Sequence, residues 1–342
     1  MHVLVTGNQG YIGSVLTPLL ASAGHTVIGL DAGFFADCLL MPFEDGVHRQ
    51  IRKDVRDVTE SDLRGIDAIV HLAAISNDPM GALDPGITFE INHHASVRLA
   101  ELARSAGVRR FIFASSCSVY GQSDTPSLHE DCPLNPQTAY AVSKVRAERE
   151  IGLLATPSFS PIFMRNATVY GCSPRLRMDL AINNLTGSGY VSGKVTMLSD
   201  GMAWRPFVGV RDLAEITWLL LESDAHNEAF NVGSNAQNFL IRDLAAEIGS
   251  TIGCPVTMGP GASADSRTYN VSFDKLATRF PEFKARDTIR STVMELCARF
   301  AEFGLDQEGF ESPRFTRLKR LQELIDSGKL DAAFRSRGLV AA

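Results

Sequence analysis

VTGNQGYIGS, residues 5–14, is the stretch on which the fold turns. It follows the apolar run HVLVT (2–6) and opens a segment with helical patterning over about 11–23. Gly7 permits a tight turn, Gly10 lets the backbone approach a pyrophosphate, and Gly13 allows close packing of helix on sheet. The helix start, with Tyr11 and Ile12 on it, then presents unpaired N–H groups to an anion. Asp31 ends the next apolar run, TVIGL (26–30), at the spacing where a carboxylate meets a ribose. It accepts hydrogen bonds from the 2′- and 3′-hydroxyls and repels a 2′-phosphate, so NAD is favoured over NADP. The competing reading of Asp31, a surface turn, loses force once the glycine loop precedes it.

Outward from this loop the pattern repeats. AIVHL (68–72) and RFIFAS (110–115) are further short runs rich in Val, Ile and Phe, suited to strands buried on both faces. Between them lie amphipathic segments at about 85–106 and 137–155, and the helices end near Gly24, Gly107 and Gly152. Strands separated by helices imply βαβ units, hence an α/β fold with a doubly wound parallel Rossmann-type sheet. After about residue 170 the rhythm breaks, and 172–203 and 234–264 become richer in Gly, Ser and Asn. The expected organisation is an NAD-binding domain of 1–171 with 204–233 and 265–300. A smaller, discontinuous substrate domain takes 172–203 with 234–264 and 301–342.

Composition narrows the function. The chain has 342 residues, 45% apolar and 21% charged, with a net charge of −6, which argues against a general nucleic-acid binder. The basic run RFTRLKR (314–320) reads as the solvated face of an amphipathic helix. Six cysteines are scattered without a CxxC pair or a histidine at zinc-ligand spacing, so a reduced, metal-free cytoplasmic protein is expected. MHVLVTG already looks like a strand, so no signal peptide is expected, and no apolar stretch nears the roughly 20 residues that span a membrane.

YAVSK (140–144) places Tyr140 and Lys144 four residues apart, on one helical face. A phenol titrating near 10 is a poor base at neutral pH. A neighbouring ammonium and a positive nicotinamide ring both favour phenolate, so a lowered Tyr140 pKa is expected. Alone, the pair reads as surface helix. The nucleotide fold upstream and the small hydroxyl cluster SSCS (115–118), at the C-terminal end of a strand where ligands bind in such sheets, reverse that reading. Ser116 can then hydrogen-bond a substrate oxygen as Tyr140 moves its proton.

With these pieces in place the chain resembles the extended short-chain dehydrogenase/reductase superfamily, in its NAD-dependent sugar epimerase/dehydratase branch. The matching pieces are TGNQGYIG (6–13), Asp31, DV (54–55), HLAA (71–74), SSCSVYG (115–121), YAVSK (140–144), RNATVYG (165–171), WRPFVGVRDLA (204–214) and FNVGS (230–234), in family order. The resemblance implies Ser116, Tyr140 and Lys144 as the catalytic trio. It implies a cofactor site of Gly7, Gly10, Tyr11, Ile12, Gly13, Asp31, Asp54, Val55, Leu72, Ala73, Ala74, Asn92, Ser115 and Asn166, joined by Tyr140 and Lys144. Asp54 and Val55 would flank the adenine, Asn92 would hold the cofactor backbone and Asn166 would sit by the nicotinamide. For a nucleotide-diphosphate sugar substrate it implies Ser116, Ser118, Thr168, Asn184, Thr196, Arg205 and Arg267. Guanidinium groups at 205 and 267 suit phosphates. It also implies a homodimer paired through segments 85–106 and 137–155.

Departures from the family pattern lie near the substrate. Thr168 stands where relatives commonly have asparagine, Gly209 where histidine is frequent, and Cys172 where proline is frequent. Dehydratase relatives carry an Asp–Glu pair after the small hydroxyl residue, and decarboxylase relatives carry a glutamate before the Val-Tyr. Here Cys117 and Ser118 stand there, and neither is a carboxylic acid, so elimination is disfavoured. Cys117 reads as a small buried strand-end residue, and His93 and His94 as helix residues. The resulting expectation is 4-epimerisation of a nucleotide sugar through a transient 4-keto sugar. A 4-ketoreductase uses the same residues, and a non-catalytic nucleotide-binding protein would not need all three of the trio.

Overall fold

A computed structural model describes residues 1–76, 78–123, 125–263 and 268–337. Seven strands form one wholly parallel sheet: β1 (His2–Thr6), β2 (Thr26–Asp31), β3 (Val47–Arg52), β4 (Ala68–His71), β5 (Arg110–Ser116), β6 (Ser160–Asn166) and β10 (Glu228–Val232). Their order is β10-β6-β5-β4-β1-β2-β3, so the winding reverses between β1 and β4. A crevice opens at the carboxyl ends of strands at such a reversal, which is where this fold places ligands.

The near-continuous apolar strands are explained by burial on both faces. Val3 and Val5 of β1 enter one core while Leu4 enters the other, and in β5 Ile112 opposes Phe111 and Phe113 in the same way. β3 was not legible in the sequence. Its VHRQIR is an exposed edge strand, so it carries neither a buried run nor a clean alternation. The expected helix over 85–106 is broken into Pro85–Phe89, a π-helical turn Glu90–His94, and Ala95–Ser105. The segment expected at 137–155 is the helix Ala139–Gly152, started by Thr138, whose hydroxyl accepts the Ala141 N–H at 3.1 Å.

The smaller region holds two further sheets. β7 (Thr168–Tyr170), β9 (Trp204–Gly209) and β11 (Asn238–Leu240) form one, and β8 (Val195–Ser199) pairs with β12 (Val256–Ser263) in the other. Helices Ala181–Ser192, Ile241–Ile252 and Ile289–Phe303 pack here through Ile182, Leu185, Leu244, Ile248, Ile289 and Val293. Helix 289–303 thus packs with the segments the sequence reading gave to the substrate side. The tail crosses in the other direction. In helix Arg317–Asp326 and the stretch after it, Leu321, Leu324, Leu330 and Phe334 join the core of Leu4, Ile69 and Phe111. Amphipathic helices display an apolar edge without saying which core it meets.

Candidate active site and cofactor cleft

The loop after β1 turns through Gly7 at φ +73, and a side chain there would place its Cβ 2.8 Å from the Ala73 nitrogen. At Gly13 a Cβ would fall 2.4 Å from the Gly7 carbonyl oxygen. The two glycines therefore let the loop lie against both the strand β4 exit and its own helix. Gly7, Gly10, Tyr11, Ile12, Gly13, Asp31, Asp54, Val55, Leu72, Ala73 and Ala74 line one cleft at the carboxyl ends of β1, β2 and β4. Asp31 accepts the Gly33 N–H at 2.7 Å and the Gln9 N–H at 3.1 Å. Burial pushes its carboxyl up, and those two N–H groups oppose the shift. Asp54 is already engaged by Arg56, which reaches its Oδ2 at 2.7 Å.

Asn92 sits on the π-helical turn and clamps the loop beyond β4 from both sides. Its Oδ1 accepts the Ile75 N–H at 2.8 Å and its Nδ2 donates to the Ile75 carbonyl at 2.9 Å. Asn92 is outside the cleft wall, so its reach to a cofactor runs through this loop. Ser115 is also absent from that wall, as are Ser116, Tyr140, Lys144 and Asn166. The Ser115 hydroxyl donates to Glu148, which also holds Arg165 at 2.9 Å.

Ser116, Tyr140 and Lys144 meet at the exit of β5, one strand over from β4. Burial pushes the Tyr140 phenol up to about 12, opposed first by its hydrogen bond with Ser116 and also by the Arg177 charge. Burial thus works against the lowered pKa expected from the sequence, which drew on a nicotinamide charge as well. The Lys144 Nζ donates to the Ala114 carbonyl at 2.7 Å and lies 5.8 Å from the Tyr140 ring centroid. Burial lowers its own pKa to about 7, against the pull of Glu148. The turn Asp78–Gly81 links the trio to the cleft. Met80 lines the cleft, while a Cβ on Gly81 would sit 3.2 Å from that of Tyr140.

Around the trio, Cys117 is buried and its thiol donates to the Arg165 carbonyl at 3.1 Å. Burial raises its pKa, so it is a poor source of thiolate. Two buried oxygens lack partners, Ser118 Oγ and Asn166 Oδ1, and Asn166 pairs in register with Ser116 at the strand ends. The His93 Nε2 donates to Glu150 at 2.8 Å, a helix contact.

Thr168, Asn184, Thr196 and Arg205 line a second cleft, together with Phe310, Thr316 and Lys319 of the tail. Asn184 is tethered by its Nδ2 to the Met178 carbonyl at 2.9 Å. The Arg205 guanidinium lies 5.0 Å from the Tyr269 ring centroid. Arg267 lies outside the described residues. Gly209 has a steric reason, since a Cβ there would meet Asp287 at 2.3 Å.

Sequence reasoning missed Arg177 and Arg317, both on the first cleft. Arg177 pairs with Asp179 at 2.9 Å and donates to Ser76 at 2.8 Å. The available signal was SPRLRMD (173–179), where cations punctuate an otherwise apolar loop. Among the described residues no cluster of metal-ligating side chains is present, and no helix is long and apolar enough to cross a membrane.

Comparison with known proteins agrees with this geometry. Residues 3–233 match the model of the NAD dependent epimerase/dehydratase family. A UDP-glucose 4-epimerase of Mycolicibacterium smegmatis is 30% identical, over 75% of this chain and 84% of the relative. The solved structure of MoeE5 in complex with UDP-glucuronic acid and NAD is similar at a TM-score of 0.76 and 27% identity, covering 88% of this chain and 99% of that one. A UDP-glucose 4-epimerase of Thermus thermophilus in complex with NAD gives a TM-score of 0.73 at 25% identity, over 86% and 99%.

Proposed function

Because the chain belongs to the NAD-dependent epimerase/dehydratase family, we propose that it is a nucleotide-sugar 4-epimerase working through a transient 4-keto sugar. The residues fit NAD. The glycine loop has no room for side chains, Asp31 stands at the ribose position, and Asn166 Oδ1 is a buried acceptor awaiting a donor such as a carboxamide. Bound NAD supplies a hydride acceptor that can return the hydride to the same carbon. The protein supplies the rest. Tyr140 takes the C4 hydroxyl proton and gives it back, Ser116 hydrogen-bonds the reacting oxygen, and Lys144 and Arg177 provide the positive charge that a phenolate needs. Arg205, with Thr168, Asn184 and Thr196, holds the nucleotide-diphosphate part of the substrate, and Ser118 meets the substrate beside the trio. Arg267 is assigned the same task from the sequence alone.

The observation that carries this reading over dehydration is the pair following Ser116. Cys117 has its thiol committed to the Arg165 carbonyl and Ser118 is a hydroxyl, so neither position offers a carboxylic acid for losing water. Arginine recognition at the diphosphate leaves the base and sugar to be assayed, with UDP-glucose first because relatives are named for it. Purified protein without added cofactor should convert one epimer into the equilibrium mixture, with no accumulation of NADH by absorbance. A requirement for stoichiometric NADH would make it a ketoreductase instead. Solvent deuterium entering the sugar carbon skeleton would indicate carbon-acid chemistry. We take the enzyme to be a cytoplasmic homodimer.

A further inference from the structure

Arg317 is the cation the mechanism leaves without a task. It starts helix 317–326 in the run RFTRLKR, whose Arg314 and Lys319 are exposed, yet its own exposure is 2%. A buried guanidinium costs several kcal/mol of desolvation unless a carboxylate and hydrogen bonds compensate. Among the described residues no carboxylate makes an ion pair with Arg317, and Asp31 and Asp179 feel its charge only at longer range. Its Nη2 donates to the Arg175 carbonyl at 3.0 Å, its guanidinium lies 4.4 Å from the Phe35 ring centroid, and Nη1 is buried without a partner. Burial, and repulsion from Arg177, lower its pKa to about 10.

Its position says what is missing. Arg317 lines the same cleft as Gly10, Gly13 and Asp31. Other charges on that wall are already matched: Arg177 with Asp179, Lys53 with Asp62, and Asp54 with Arg56. Asp31 receives two backbone N–H groups. NAD brings one strongly anionic group, its diphosphate, and the start of helix 13–22 already directs donors to such a group. We propose that Arg317 binds the diphosphate of NAD from the C-terminal tail, making helix 317–326 a wall of the cofactor site. This rests on the cofactor reading above and is independent of which sugar is turned over. The same tail sets Leu321 and Phe334 on the cofactor cleft and Thr316 and Lys319 on the second cleft, so it spans both.

The test is calorimetry on the full chain stripped of nucleotide, with ADP-ribose and adenosine as probes. Arg317→Met should weaken ADP-ribose at least tenfold while adenosine binds as in the parent, and Arg317→Lys should recover part of the loss. Ligand-free Arg317→Met should melt no lower than the parent, because a poorly compensated cation is gone. ADP-ribose binding within twofold of the parent would overturn the proposal and leave Arg317 as a strut between the tail and the Arg175 carbonyl. Equal losses for adenosine and ADP-ribose would overturn it too, as would a lowered melting point with unchanged ADP-ribose affinity. Should Arg317→Met fail to fold, Arg317→Gln, which keeps a donor for that carbonyl, carries the same comparison. Loss of this binding effect with epimerase activity intact would sink the proposal alone, and the reverse result would sink only the sugar chemistry.

Discussion

Tyr140 is held protonated in the ligand-free protein, at about 12, and has to be drawn toward phenolate for the proposed step. Tyr140→Phe keeps the ring and its packing but removes the proton acceptor. Turnover should fall by about 10²–10⁴, with substrate affinity far less changed, as read by steady-state kinetics beside binding. Parent-like turnover would remove Tyr140 from the chemistry. Lys144 gives a second prediction through stability. Its pKa is about 7 in the fold against an ordinary 10.5, so between those values the unfolded chain carries a proton that the fold does not. Raising the pH through that window therefore relieves a cost of folding. Lys144→Met should be more stable than the ligand-free parent at pH 7, and thermal melts should show the advantage shrinking toward pH 10. A constant difference across that range would mean that Lys144 is not buried as a cation. The i, i+4 spacing of Tyr140 and Lys144 was readable in the sequence, but the hydrogen bond that turns Lys144 to Ala114 was not, because the partner belongs to another strand.

At the level of elements, the glycine loop is the part whose behaviour follows most directly from its own residues. A Cβ at Gly13 meets only backbone, the Gly7 oxygen at 2.4 Å and the Asn8 Cα at 2.5 Å, so the loop has to shift to admit it. Gly13→Ala should leave purified protein with less than about a tenth of the parent's NAD per chain, measured by chromatography of nucleotide released on denaturation. Full occupancy would show that the loop tolerates displacement. Other elements hid for physical reasons. The edge strand β3 is polar because one flank has no neighbour, and the π-helical turn Glu90–His94 interrupts what reads as one helix. That turn carries Asn92, whose two bonds to Ile75 shape the cleft from outside its wall.

For the whole molecule, the expected two-fold contact through the 95–105 and 139–152 helices depends on what those helices leave exposed. Leu99, Ala100, Ala103 and Ala147, which look like an apolar patch in the sequence, are buried within the single chain. The exposed side chains are Arg98, Glu101 and Arg104 on one helix and Arg146, Arg149 and Glu150 on the other. With Glu101 and Glu150 set among these arginines, a two-fold contact would pair opposite charges and weaken as salt screens them. Sedimentation at micromolar concentration should give a dimer that loosens with added salt. A monomer at low ionic strength would remove the dimer.

By itself the sequence determined the α/β class and the cofactor, and it pointed to the trio. Each is written in short-range spacing: a strand, a glycine turn and the start of a helix by residue 13, then Asp31, then Tyr140 and Lys144 on one helical face. Periodicity and turn geometry act locally, so local sequence reports them. The tertiary structure alone decided the electrostatics and the walls. Burial, a property of the assembled fold, sets Tyr140 above its ordinary value and Lys144 below it, against the expectation from their adjacency. The docking of the tail was equally unreadable, because an amphipathic helix specifies that one edge must be buried and leaves open against what. Only the closed chain brings Arg317 onto the cleft of Gly10 and Asp31.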